Sequence, residues 1–330
     1  MAADLSHFDN GPWLAEELGA PGSRRRAVFT LRQLRYFVAA ADGLALTSAA
    51  KSLHVSQPSV SAAVMALEEL FGTELFVRHH AKGLSLTPTG EKLAREARAL
   101  LKHADDMQSV AGEMSSEIKG ALSIGCLITI APYLVPQLLQ QFRERHPQAV
   151  LNAAVDHQEA LLSALMHGRL DVLVTYDLDV PKELTFQPLA SLPPYVVAAE
   201  KSRIAKMKRV NLADLVNEPL VLLDLPLSRE YFLGIFSAAG ITPHVRYRSA
   251  HAEVVRSMVA QGLGYSILNI PSRTHHALNG SKFVSRDLVG QHRSLALGTA
   301  TRTTSHPRAI LKAFQAVCAD VMRDMVQQGS

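Results

Sequence analysis

Apolar positions along the first part of the chain repeat with helical spacing. Leu31, Leu34, Phe37, Val38 and Ala41 place one apolar stripe on a first helix, which Asp42 and Gly43 stop. Ala49, Ala50 and Leu53 form a second apolar face, and the small residues at 49 and 50 let a neighbouring helix come close. His54-Val55-Ser56 is a three-residue connection, with Val55 tucked under the turn. Ser56 offers a hydroxyl to the orphan backbone N–H groups of the next helix, and Pro58 falls in its first turn, where a missing N–H costs little. This third helix is expected to bury Val60, Val64, Leu67 and Phe71. Its opposite stripe is Pro58, Ser61, Ala62 and Met65, preceded by Gln57; these are small or polar, which suits a surface that reads base edges. Three short helices, the last two joined by a tight turn, are the arrangement that carries a helix into a DNA major groove.

The pattern then changes twice. After Leu75-Phe76-Val77-Arg78, Gly83 permits a turn and Leu84-Ser85-Leu86 alternates like a short strand, predicting a wing. Arg78, His79, His80 and Lys82 on it are candidates for phosphate contact, with a solvated wing as the alternative for the two histidines. A long helix follows over roughly 89–112. Leu93, Ala97, Leu100, Ala104, Met107 and Ala111 repeat on it in steps of four and three, a narrow heptad seam suited to helix pairing. From Gly120, short apolar runs alternate with amphipathic segments: 121–125, 132–146, 150–155, 159–167 and 171–175, then 220–223, 229–239, 245–248, 252–260 and 265–268. This βαβ rhythm predicts parallel sheets covered by helices, in two lobes, with a crossing near Glu200. The run 294–298 and a last helix over 307–327 are expected to return to the first lobe.

The run from Ala49 to Ser61 (AA-x-x-L-x-V-S-Q-P-x-V-S), Leu67-Glu68, Gly72, Leu75-Phe76, Arg78 and the LTPTG tail from Leu86 to Gly90 together resemble the DNA-binding domain of LysR-type transcriptional regulators. The resemblance implies an α/β multidomain fold: an N-terminal winged helix-turn-helix over 30–88, a linker helix over 89–113, and a C-terminal two-lobed, periplasmic-binding-protein-like effector domain over 118–330. Lobe I would comprise about 118–199 and 293–330, and lobe II about 200–292. It implies DNA contact by Gln57, Pro58, Ser59, Ser61, Ala62, Met65, Arg78 and Thr87, and dimerisation through Leu93, Ala97, Leu100, Ala104 and Met107. The implied partners are a pseudo-palindromic double-stranded promoter site, a small-molecule effector, RNA polymerase, and further copies of the chain in a homodimer assembling to a homotetramer. One departure stands out. The family often places a basic or amide side chain just after the serine at Ser61, and here Ala62 and Ala63 follow. Direct readout then rests on Gln57 and Ser61, with a larger share from DNA shape.

Two-lobed α/β domains bind small molecules in the cleft between lobes, near the carboxyl ends of strands and at helix N-termini. Leu127, Thr129, Tyr176, Asp224, Leu225, Ser228, His251 and Asn269 occupy such positions, and the resemblance implies that they line the effector pocket, with Thr129, Ser228 and His251 as its polar candidates and Leu225 and Asn269 shaping it. Capping and surface roles are the alternative for each. A carboxylate at Asp224 would repel an acidic effector or recognise an amine.

Composition narrows the function classes. The chain has 330 residues, 48% of them hydrophobic, enough for two or three real cores. Its net charge of +4 is a mild basic bias compatible with DNA. No apolar run approaches the roughly 18–20 residues of a membrane span. Two cysteines, Cys126 and Cys318, make no disulfide framework and fit a reducing cytoplasm. Both are read as buried structural thiols. Residues 1–29 carry four acidic residues before Arg24-Arg25-Arg26, lack the signature of a secretory signal, and are expected to be a disordered extension. No GxSxG, phosphate-binding loop, dinucleotide fingerprint or zinc spacing is present, so no catalytic residue, metal or cofactor is expected. The alternative reading is a ligand-binding α/β protein or an enzyme carrying an accessory DNA-binding module.

Overall fold

A computed structural model describes residues 28–79, 83–110, 118–270, 272, 274–303 and 308–328, with side chains described up to 104 in the long helix and up to 325 in the last. The expectations for residues 1–27, His80, Lys82 and Ala111 lie outside the described residues, as does the side chain of Met107. The chain divides into two compact units, 1–97 and 98–330.

The first unit is a helical triplet with a small wing. Helix α1 (Leu31–Gly43) starts at a reciprocal cap: Gln33 N–H donates to Thr30 Oγ1 at 3.2 Å, and Thr30 N–H to Gln33 Oε1 at 2.8 Å. Helix α2 (Leu46–Ser52) and helix α3 (Gln57–Phe71) follow, and α3 ends at Gly72 in the left-handed region, φ 64°. Leu34, Phe37, Ala49, Ala50, Val60, Val64 and Leu67 form the core. Phe71 departs from the expected pattern: it is 40% exposed and stacks its ring near Phe29 instead. Strands β1 (Phe76–His79) and β2 (Gly83–Leu86) pair antiparallel as the wing. Phe76 reaches the core and meets Phe37 edge-on at 5.5 Å.

The LTPTG motif now has a mechanical reading. Thr87 Oγ1 accepts from Gly90 N–H at 2.9 Å, so Thr87 caps helix α4 (Pro88–Val110) and Pro88 takes its first position. Any side chain at 90 would collide with the Leu75 carbonyl, because a Cβ there would lie 2.1 Å from that oxygen. Glu68 completes the joint: its Oε1 accepts from the N–H groups of Leu75 and Phe76 at 2.9 and 3.3 Å.

The second unit contains two sheets. Lobe I has strands β3 (Gly120–Leu127), β4 (Ala149–Asp156), β5 (Val172–Tyr176) and β6 (Leu184–Leu192), with helices α5 (Ala131–Arg145) and α6 (Gln158–Met166). Lobe II has strands β7 (Tyr195–Ala199), β8 (Arg209–Val210), β9 (Leu220–Leu223), β10 (Val245–Ser249), β11 (Tyr265–Leu268) and β12 (Phe283–Leu288). Its helices are α7 (Ser228–Ala238) and α8 (Ala252–Ala260). Strand β13 (Leu295–Arg302) and helix α9 (Ala309–Gln328) return to lobe I. The sheet orders are β4-β3-β5-β13-β6 and β10-β9-β11-β7-β12-β8.

Two expectations need correction. The sheets are mixed rather than parallel: β13 runs antiparallel to β5 and β6, and β7 antiparallel to β11 and β12. The first crossing falls at Pro193-Pro194 rather than near Glu200, because β7 pairs entirely within the lobe II sheet. The two prolines lack backbone donors, so the chain leaves one ladder there and joins the next. A continuous apolar core spans both lobes. Among the described residues, no helix is long and apolar enough to cross a membrane.

Candidate functional site

On α3 the two faces separate cleanly. Val60, Ala63, Val64 and Leu67 are buried, while Gln57, Pro58, Ser59 and Ala62 are exposed, Ser61 is half-buried and Met65 is 58% exposed. Ser56 caps the helix: its Oγ accepts from Ser59 N–H at 3.3 Å and lies 2.8 Å from Ser59 Oγ. The Ser59 hydroxyl is therefore partly engaged by the cap. Gln57 sits in the first turn, where its long side chain extends from the uncovered end of the helix. Arg78 is exposed on β1, and its neighbour His79 bonds through Nε2 to Ser85 Oγ across the wing at 2.7 Å. Thr87 is placed differently from the other candidates. Its hydroxyl donates to Glu74 O at 2.8 Å while accepting from Gly90 N–H, so it is spent on the joint between wing and helix.

The proposed seam on α4 is also uneven. Leu93 and Ala104 are half-buried and Leu100 is 40% exposed, but Ala97 is covered by its own chain, as is Ala94. A methyl group already buried in one chain offers little surface to a second, so Ala97 does not belong to an open seam. Charged residues off the seam are anchored rather than merely solvated. Arg98 Nη1 donates to His167 O at 3.0 Å, and Lys102 Nζ pairs with Asp171, which also accepts from Ser123 N–H at 2.8 Å.

Between the lobes lies a small cavity of about 20 Å³. The carboxyl ends of β5, β9 and β11 bring Tyr176, Leu223, Leu268 and Asn269 to its wall, and Thr129 comes from the connection after β3. Ser228 and Phe232 enter from α7, and Ala252 and Arg256 from α8. Four of the sequence candidates thus meet in one place: Thr129, Tyr176, Ser228 and Asn269. The other four do not line it. Leu127 and Leu225 are packed into the core. His251 is exposed at the N-terminal end of α8, where its N–H donates to Ser249 Oγ at 3.1 Å. Asp224 is held by two arginines, Arg229 Nε and Arg248 Nη1, so its charge is compensated outside the cleft.

Sequence reasoning missed the most consequential residue. Arg256 is 1% exposed, and its guanidinium donates from Nη1 to Glu253 Oε1 and from Nη2 to Ile270 O at 2.9 Å. Tyr133 from lobe I donates to Glu253 Oε1 at 3.1 Å, and Tyr195 donates to Ile270 O at 2.6 Å. The signal was present. Val255, Arg256 and Val259 share the buried stripe of α8, and an arginine in an apolar stripe calls for a partner. Burial pushes the Tyr133 hydroxyl up to about 12, and it raises Tyr176, Tyr195 and Tyr231 as well, so these phenols remain protonated. Asn269 links the cleft to both crossovers. Its Nδ2 donates to Leu192 O at 2.9 Å and to the Tyr231 hydroxyl at 3.2 Å, and Tyr231 in turn donates to Arg293 O at 2.6 Å.

The cysteines are removed from this chemistry. Cys126 and Cys318 are both free and buried. Burial pushes the Cys318 thiol up to about 12 and Cys126 higher still, with the nearby Cys318 adding to the effect. Among the described residues, no group of three or more His, Cys, Asp or Glu is placed to hold a metal ion.

Comparison with known proteins agrees with both halves. Residues 31–91 match the model of the bacterial regulatory helix-turn-helix protein, lysR family, and residues 115–323 match that of the LysR substrate binding domain. The chain is 31% identical over 256 residues to the HTH-type transcriptional regulator CysB of Haemophilus influenzae, covering 76% of this chain and 77% of the relative. It is 31% identical over 241 residues to the transcriptional dual regulator OxyR of Escherichia coli, covering 72% and 78%. Among solved structures it resembles HinK, a LysR family regulator from Pseudomonas aeruginosa, at 33% identity and TM-score 0.60 over 89% of this chain and 98% of that one. Full-length OxyR from Pseudomonas aeruginosa gives TM-score 0.73 at 27% identity over 90% and 95%. With a helix-turn-helix exposing one face of α3 and a two-lobed domain enclosing a cleft, the chain belongs to the LysR family of DNA-binding transcriptional regulators.

Proposed function

We propose that this regulator reads a pseudo-palindromic promoter site with the exposed face of α3 and answers to a small molecule held between its lobes. The observation that carries the reading is the split of α3 into a buried apolar face and an uncovered face of Gln57, Pro58, Ala62 and Met65, with half-buried Ser61 at its edge. Gln57 supplies a bidentate group of the kind that pairs with adenine, and Ala62 and Met65 supply apolar contact for a thymine methyl. Arg78 on the wing neutralises a phosphate and positions the domain. Two chains pair through Leu93, Leu100, Ala104 and Met107, and two dimers form a tetramer on DNA. An effector that prefers one arrangement of the lobes shifts the assembly between states, and these differ in how they bend the promoter and recruit RNA polymerase in the cytoplasm.

The test is footprinting of the full-length protein on its strongest genomic site, with quantitative binding by variants. Gln57→Ala is expected to cost about 1–3 kcal/mol on the specific site and little on random DNA. Arg78→Ala is expected to weaken both and to lower the salt slope by about one. Operator affinity unchanged by both substitutions would overturn the contact assignment.

A further inference from the structure

The positive charge of this chain is not concentrated in the unit that reads DNA. Residues 28–97 carry seven Lys and Arg against six Asp and Glu, a net charge of +1. Lobe II, taken as residues 195–292, carries twelve against seven, a net charge of +5, although the whole chain is only +4. Much of that excess lies in one segment. Lys201, Arg203, Lys206, Lys208 and Arg209 are all exposed, and no Asp or Glu occurs from 201 to 213. Arg286 of β12 packs against the same segment, donating from Nη2 to Ala205 O at 2.6 Å. Ion pairs compensate only its margins: Arg203 Nε meets Glu218 at 3.2 Å, and Lys282 meets Glu200 at 3.7 Å. Asp287 is the register neighbour of Arg209 without forming an ion pair with it. Lys201, Lys206, Lys208 and Arg209 make no ion pair among the described residues.

The segment is anchored rather than loose. Ile204 and Val210 are buried beneath it, Ala205 N–H donates to Ser202 Oγ at 3.2 Å, and Arg203 Nη2 donates to Asp214 O at 2.6 Å. Cations of one sign held close together repel, and charges carried for solubility alone would mix both signs. Lysines do guard sheet edges, but β8 is two residues long, and Lys201 and Lys206 lie off it. An anchored, acid-free row of cations fits a polyanion of regular charge. Duplex DNA presents one negative charge for about every 1.7 Å of its axis, and DNA is what the family of this chain binds. Lysine ammonium groups meet phosphates as point charges, without the planar pairing that arginine makes with carboxylates.

We propose that the Lys201–Arg209 segment of lobe II makes a second, sequence-independent contact with the phosphate backbone of bound DNA. It adds affinity without base readout, and so offsets the nearly neutral charge of the reading unit.

The test uses the full-length protein on a promoter fragment extending beyond the footprint on both sides, and on random DNA of the same length. One variant combines Lys201→Gln, Lys206→Gln, Lys208→Gln and Arg209→Gln. A second keeps the charge, with Lys201→Arg, Lys206→Arg, Lys208→Arg and Arg209→Lys. Neutralisation is expected to lower the slope of log affinity against log salt by about 2 to 4, and affinity roughly 10- to 100-fold at about 0.1 M salt. The same loss is expected on random DNA, so discrimination between the two is unchanged, and the charge-keeping variant should restore both quantities. In the unaltered protein, DNA should protect Lys201, Lys206 and Lys208 from acetylation by an amine reagent, a readout that holds even if the neutral variant fails to fold. A slope unchanged by neutralisation, or lysines acetylated equally fast with and without DNA, would overturn the proposal. An unchanged slope with a loss of promoter transcription by RNA polymerase would give the segment to an acidic protein surface instead. A loss confined to the promoter fragment would make the contact one of base readout and overturn it as well. Gln57→Ala on the same fragments separates this from the reading of α3, since it should lower promoter affinity with the salt slope unchanged.

Discussion

Thr87 distinguishes a DNA contact from a structural cap, and Thr87→Val separates the two at nearly constant volume. The substitution removes the acceptor for Gly90 N–H and the donor to Glu74 O, while the backbone bonds Thr87 N–H to Leu75 O and Glu91 N–H to Thr87 O remain at 3.0 and 2.8 Å. Loss of an N-cap costs about 1 kcal/mol, and Gly90 is buried, so its N–H is left without water and adds about 1 kcal/mol more. The expected total is about 2 kcal/mol, a roughly 30-fold rise in the open population of the wing–helix joint. Hydrogen exchange of peptides spanning residues 74–92 in the full-length protein measures it directly, and Thr87→Ser should restore protection. The competing role has its own signature, since a lost phosphate contact would lower the slope of log affinity against log salt by about 0.9. Unchanged exchange together with a shallower salt slope would refute the capping argument.

Other consequences follow from the same geometry. Gly90→Ala forces a Cβ against the Leu75 carbonyl, and it is expected to destabilise the first unit by more than about 2 kcal/mol and abolish operator binding, while denaturant unfolding of the second unit is unchanged. Asp171→Ala leaves Lys102 and Arg308 without their shared acid, and should cost the second unit about 3 kcal/mol in urea unfolding. The thiols make stability fall at high pH. An unfolded Cys318 releases its proton near the ordinary 9.0, whereas the folded one holds it to about 12. The stabilisation from keeping that proton is therefore complete below pH 9 and is lost as pH rises towards 12, Cys126 acting in the same direction. Cys126→Ser with Cys318→Ala should flatten this part of the stability curve, and in the unaltered protein both thiols should resist a disulfide reagent at pH 8 until it unfolds.

The DNA-binding unit was legible because its determinants are close together in the chain. Helical spacing of Leu34, Phe37, Val60 and Val64 and the caps at Ser56 and Thr87 act over a few residues each, and the structure places them accordingly. Phe71 was misplaced since a stripe position at a helix end is buried only if something lies beyond it. The effector domain was legible in rhythm and not in pairing. Strands β6, β7 and β12 went unread because they belong to antiparallel partnerships made by distant segments: β6 with β13, and β7 with β11 and β12. Parallel order was inferred from βαβ alternation, which holds around β3 and β9 but says nothing about which strand returns to which edge.

Local patterning was enough for the family, the two-part layout, the reading helix and the α/β character of the larger unit, because propensity, capping and periodicity are short-range. The contents of the cleft depended on long-range assembly. Thr129, Tyr176, Ser228 and Asn269 gather from segments up to 140 positions apart, while Leu127 and Leu225 turn into the core and Asp224 is neutralised by arginines outside it. Arg256 shows the limit most plainly. A single charge in an apolar stripe is visible in the sequence, yet its partners, Glu253 one turn away, Ile270 O on the next strand's end and Tyr133 from the other lobe, meet only when both lobes fold around them. Burial and hydrogen-bond satisfaction are properties of that whole assembly.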